Sequence, residues 1–136
     1  MRGSTGGQEA SKIILVVEDD EQHALVLAQI ISQLRPHRVF HASDGPTTLK
    51  FTEHLKPDLF ILDYWLPTMN GIELYERLRL RKELQDIPVI IISGFLPLDE
   101  IHARGIESLP KPFDLNELLL KIDTLLGEQP ESSPHA

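Results

Sequence analysis

The 136 residues include no cysteine. That excludes disulfides, thiolate metal sites and a cysteine nucleophile, and it fits a reducing cytosol. Aromatic residues are sparse at 6%, with a single tryptophan. No apolar run approaches the ~20 residues needed to span a bilayer. The N-terminus lacks the apolar segment of a signal peptide. Basic side chains are in the minority: 13 Lys and Arg against 21 Asp and Glu give a formal net charge of −8. Such a chain lacks the basic footprint of direct nucleic-acid binding, and an anionic membrane surface would repel it. What is left is a cytoplasmic chain with room for one domain and one core.

The chain divides into three parts. Residues 1–10 are rich in Gly, Ser, Thr and Gln without a period, and MRGSTGG reads as an expression scar. Residues 11–127 carry the domain. Residues 128–136 are rich in Pro and Ser and read as a disordered tail or linker. Both ends are excluded from the fold reading.

Short apolar runs alternate with helical patterns across the domain. Ile13–Val17 reads as a buried strand. Ala24, Leu27, Ala28, Ile31 and Leu34 give helical spacing over about 21–34. Pro36 ends that helix, and 38–41 is a short strand. Pro46 suits the first position of a second helix, expected to run to just before Pro57. Leu59–Leu62 is the central strand, and a third helix follows Gly71. Residues 87–92 form the longest β-branched run, stopped by Ser93-Gly94. Residues 95–104 hold one short helix at most, and 107–109 is the last strand. Asp114 and Glu117 resemble a capping box for a final helix, with Gly127 as its stop. Strands alternating with helices imply βαβ units. The expectation is an α/β, flavodoxin-like (βα)5 doubly wound sandwich. Its parallel five-stranded sheet has order 2-1-3-4-5 and its fourth helix is short or irregular.

That order makes the first and third strands neighbours. Each ends in acid, Glu18-Asp19-Asp20 after the first and Asp63 at the tip of the third. Two carboxylates about 5 Å apart repel by roughly 3 kcal/mol at an effective dielectric of 20, so such a cluster calls for a cation. Oxygen-only ligands favour Mg²⁺, with Mn²⁺ as the second choice, and open coordination positions suit a metal shared with phosphate. Lys111, between Pro110 and Pro112 after the last strand, adds a positive charge at the same edge. Ser93 offers a hydroxyl. Asp63, a Mg²⁺ ion, Lys111 and Ser93 together describe a site where a carboxylate attacks phosphorus in line.

Four motifs carry a family resemblance: LVVEDD (15–20), LDYWLPTMNG (62–71), PVIIISG (88–94) and LPKPF (109–113). With them the chain resembles the receiver domain of bacterial two-component response regulators, from about Lys12 to Gly127. The resemblance implies that Asp63 is the phosphoacceptor. It implies that Asp19 binds Mg²⁺ directly, Glu18 through water, and Trp65 through its backbone carbonyl. Ser93 would hold a phosphoryl oxygen and Lys111 would pair with the phosphate. The Lys111-Pro112 bond is expected to be cis. Asp20 falls one past the matching pair and is expected to face solvent. The implied donor is a histidine kinase or histidine phosphotransfer protein, and phosphorylation would switch the binding of a downstream effector. Such a domain catalyses only its own phosphorylation and dephosphorylation and is not an enzyme in the turnover sense. It stands alone or is excised from a larger protein such as a hybrid histidine kinase.

Two departures from the family pattern stand out. Lys111 lies 18 residues after Ser93, several fewer than usual, which shortens the fourth helix. Ser108 occupies the position of the usual aromatic, so an aromatic switch cannot operate there, and a dimer through the fourth and fifth helices is not expected. Trp65 is large for its position; it reads first as a partly buried surface aromatic, with shielding of an acyl phosphate from water as the sharper alternative. Three alternatives compete. A Mg²⁺-dependent phosphohydrolase would place a general-acid Asp where Trp65 stands. A flavin module would need a phosphate loop where Glu18-Asp19-Asp20 stands. A non-phosphorylated scaffold would not need the intact acidic set.

Overall fold

The computed structural model describes residues 11–95 and 97–127. The expectations for residues 1–10 and 128–136 lie outside the described residues.

Strands β1 (Ile13–Val17), β2 (Arg38–Ala42), β3 (Leu59–Asp63), β4 (Val89–Ser93) and β5 (Glu107–Pro110) form one parallel sheet of order β2-β1-β3-β4-β5. Helices α1 (Glu21–Leu34), α2 (Gly45–Phe51), α3 (Gly71–Arg79), α4 (Leu98–Ala103) and α5 (Leu115–Leu125) connect them, with a 3₁₀ turn at Lys82–Leu84. The expected topology is the observed one, and α4 is short, as the spacing required.

The central strands are apolar on both faces because both faces are covered. Ile14, Val16, Leu59, Ile61, Ile90 and Ile92 pack with Ile31 of α1 and with Leu118, Leu119 and Ile122 of α5. Leu15, Val17, Phe60, Leu62, Val89 and Ile91 pack on the other side with Ile72, Leu74 and Leu78 of α3 and Ile101 of α4. Each fully buried Leu or Ile contributes about 1.5–3 kcal/mol. Because all five strands run parallel, every strand's C-terminus lies at one edge, where the acidic residues collect.

Several boundaries differ from the sequence reading. Helix α2 stops at Phe51 rather than near Pro57. The Thr52 hydroxyl donates to the carbonyls of Thr48 and Leu49, and the next amides, of Glu53 and His54, bond three residues back. The helix therefore tightens and ends. Strand β4 begins at Val89, since Pro88 has no N–H to give the ladder. Leu34, expected on the apolar face of α1, is 50% exposed at the last turn. The reciprocal capping box occurs at α3, between Asn70 and Glu73. At α5, Asp114 accepts from the Asn116 N–H. Gly127 has a φ of 76°, which suits its place just past α5. Among the described residues, no helix is long and apolar enough to cross a membrane.

Candidate active site

Carboxylate oxygens of Glu18, Asp19 and Asp63 lie within 4.8 Å of one another. Parallel pairing of Val17 with Leu62 sets the two strand ends side by side, so the acids that follow meet. Glu18 is 8% exposed and Asp63 is half-buried. At such separations each ionised pair repels by roughly 3 kcal/mol. The electrostatics follow. Burial, and then the Glu18 charge, push the Asp63 carboxyl up to about 6, against the pull of Lys111 and of the Trp65 N–H. The Trp65 N–H donates to Asp63 Oδ1 at 3.3 Å.

Lys111 reaches the same cluster, with Nζ 3.7 Å from Glu18 Oε1. Its backbone N–H donates to the Ser93 carbonyl at 2.8 Å, which ties the β5 loop to the end of β4. Ser93 itself is 2% exposed, one residue past the Asp63–Ile92 pairing. The Lys111-Pro112 bond is cis. All the side chains named from sequence therefore sit at one edge.

Asp20 faces solvent as expected, but it also caps α1. Its Oδ1 accepts from the N–H groups of Gln22 and His23. The His23 bond, foremost, holds its carboxyl below the usual carboxylate range. Trp65 is 58% exposed and sits edge-on to Tyr64, with ring centroids 4.8 Å apart. Ser108 Oγ lies 3.1 Å from His102 Nε2, so a polar contact between β5 and α4 occupies the position expected to lack an aromatic.

Two supports of the site were not assigned that role from the sequence. One is His41, whose ring bonds the Glu18 carbonyl. The other is Gly71. Its N–H donates to the Tyr64 carbonyl at 2.8 Å. A Cβ there would lie 3.1 Å from both the Asp63 carbonyl oxygen and the Tyr64 Cα. The first turn of α3 thus closes directly onto the backbone that carries Asp63. Gly71→Ala adds helix propensity of up to ~1 kcal/mol, but it presses on backbone that cannot turn aside, at a cost of about 1–3 kcal/mol. The expected net loss is about 1 kcal/mol, read by urea unfolding; a variant more stable than the parent would contradict the close packing.

Three oxygen donors at these distances, with one acid forced toward its neutral form when no cation balances it, fit a hard divalent cation. Beside the acids runs a groove of about 640 Å³. Val26, Leu27, Ile30, Phe113 and Leu115 line it, together with Glu18 and Lys111.

Comparison with known proteins gives the same picture. The response regulator receiver domain model matches residues 14–123. The chain is 31% identical over 128 residues to the alkaline phosphatase synthesis transcriptional regulatory protein PhoP of Bacillus subtilis, covering 91% of this chain and 52% of that protein. It is 29% identical over 120 residues to hybrid signal transduction histidine kinase D of Dictyostelium discoideum, covering 84% of this chain and 8% of that protein. The chain thus spans about half the length of PhoP and a small part of the kinase. A solved receiver domain of a sensor histidine kinase from Pseudomonas aeruginosa PAO1, with a magnesium ion coordinated in its active site cleft, superposes with a TM-score of 0.77. It shares 25% identity, over 88% of this chain and 100% of that one. The signal receiver domain of a histidine kinase from Syntrophus aciditrophicus gives 0.77 at 28% identity, over 89% and 96%.

Proposed function

Because the chain belongs to the response regulator receiver domain family, we propose that Asp63 accepts a phosphoryl group from a phosphohistidine donor and that the acyl phosphate switches partner binding. The observation that carries this reading is the meeting of the Glu18, Asp19 and Asp63 oxygens within 4.8 Å, with Lys111 at their rim.

An Asp63 oxygen forms the new bond to phosphorus while the P–N bond to the donor imidazole breaks, leaving an acyl phosphate. Asp19 and Asp63 would hold Mg²⁺ directly, Glu18 through water and Trp65 through its carbonyl; Mn²⁺ suits the same oxygens. When bound, the ion supplies positive charge opposite the transferring phosphoryl oxygens. Lys111 can leave Glu18 for the incoming phosphate, and Ser93 gives it a hydroxyl. The donor is a histidine kinase or phosphotransfer protein. We place the domain in the cytoplasm, where such donors present their phosphohistidine. A phosphohydrolase reading is not favoured, since Trp65 stands where its general acid would be.

The test uses acetyl phosphate as donor. With Mg²⁺ the intact mass should rise by one phosphoryl group, and a chelator should abolish the rise. No gain in the parent protein would overturn the reading.

Trp65 gives a kinetic prediction on the same species. Trp65 lies two residues past Asp63 and donates its backbone N–H to the carboxylate that would carry the phosphate, and the proposed shield is its indole. Trp65→Asn should shorten the acyl-phosphate lifetime at least about twofold, roughly 0.4 kcal/mol in barrier. Equal decay rates for parent and variant would remove the shielding role.

A further inference from the structure

We propose that His41, on the outer strand β2, is a positioning residue for the acidic loop after β1, and that it sets the divalent-cation affinity of the site. The inference rests on the Mg²⁺ reading of Glu18, Asp19 and Asp63 given above.

The geometry is specific. His41 Nε2 lies 2.8 Å from the Glu18 carbonyl oxygen. That oxygen can only accept, so Nε2 carries the proton and donates. One residue further along β2, the Ala42 carbonyl accepts the Glu18 N–H at 3.0 Å. Strand β2 therefore grips Glu18 on both sides of its Cα. The Glu18 side chain is also held, by the Asp20 N–H at 3.1 Å and by Lys111 at 3.7 Å.

The consequence falls on Asp19. The Glu18 carbonyl belongs to the Glu18–Asp19 peptide unit, which is planar and rigid. Fixing its oxygen fixes the rotation of that plane, and so the direction in which Asp19 leaves the backbone. On the far side, Asp20 is fixed as the cap of α1. Asp19 thus stands between two tethered neighbours. With three carboxylates within 4.8 Å, the loop is under repulsion that would turn Asp19 outward if the plane could rotate. His41 opposes that rotation from outside the site, without touching a carboxylate. Partners that orient metal ligands in this way are worth roughly 10–100-fold in metal affinity. A contact to the backbone belongs at the lower end.

The experiment titrates Mg²⁺ into the full chain while following the fluorescence of Trp65, the sole tryptophan, which lies two residues from Asp63. His41→Ala should weaken binding about tenfold, while its melting temperature falls by no more than about 5 °C. His41→Gln keeps a donor of similar reach and should bind within about threefold of the parent. In the parent, NMR of the imidazole should show a protonated Nε2. Equal affinity for parent and His41→Ala overturns the proposal, as does His41→Gln binding as weakly as His41→Ala, or a proton found on Nδ1 alone. A parent that binds no Mg²⁺ overturns the metal reading itself, and the role of His41 falls with it.

Discussion

Asp63→Asn is expected to take up no phosphoryl group and, in metal-free buffer near neutral pH, to be more stable than the parent. The first effect is the loss of the nucleophilic oxygen; an amide does not form the acyl phosphate. The second follows from the crowding of acids. Asp63 is pushed up to about 6, chiefly by burial and then by Glu18. Its folded value lies above its unfolded one, so the folded state binds the proton more tightly. Stability therefore falls as pH rises from about 4 through about 6, and the full penalty is present above that. Asp63 is half-exposed, so solvent screening reduces the penalty to about 1 kcal/mol, or about 3–4 °C in melting temperature. The advantage of Asp63→Asn should shrink as pH drops through about 6 and vanish below the ordinary carboxylate value of 3.8. Protons compete with the metal for the same oxygens, so Mg²⁺ affinity should weaken over that window. Thermal melts of both proteins across pH check this; a variant less stable than the parent at neutral pH would contradict the repulsion.

Arg35→Ala is expected to cost about 3 kcal/mol in stability, roughly 10 °C in melting temperature, while phosphoryl uptake persists. Arg35, just past α1, donates from Nε to Asp123 Oδ1 at 2.7 Å and from Nη2 to Asp123 Oδ2 at 2.8 Å. Asp123 is 6% exposed on α5. Removing the guanidinium strands a carboxylate in a site with little water, and that cost exceeds the worth of an exposed pair. The pair joins the end of α1 to α5 at the edge of the sheet opposite the acids, so the chemistry should be spared. A double replacement, Arg35→Leu with Asp123→Leu, should recover most of the loss, because no buried charge is left alone. Urea unfolding of the parent and both variants decides it. A loss under about 1 kcal/mol in Arg35→Ala would mean the pair behaves as a surface contact.

The sheet order and the meeting of the acids were legible in the sequence because both depend on periodicity and on strand ends. Three apolar runs, each stopped by a polar residue, fix where β1, β3 and β4 finish, and parallel topology does the rest. Helix ends were less legible. The stop of α2 depends on how the Thr52 hydroxyl competes for carbonyls, and spacing does not encode that. Asp123 did carry a signal that went unused, namely a charge set among Leu119, Ile122 and Leu126 on an apolar face. Its partner, 88 residues away in sequence, could not be read without the fold. His41 gave no signal at all, since alternation along β2 marks it only as an outward residue. Gly71 was read as a helix boundary, whereas its main role is to let α3 close on the Asp63 backbone.

Placing the phosphoryl group on one named residue is the most direct check. Protein treated with acetyl phosphate and Mg²⁺ can be reduced with borohydride, which converts an acyl phosphate to a primary alcohol, and then mapped by peptide mass. Reduction confined to the peptide carrying Asp63, and absent from metal-free protein, is the expected result. Reduction at Glu18 or Asp19, or a stable phosphoryl group on a histidine or serine with Asp63 untouched, would contradict it.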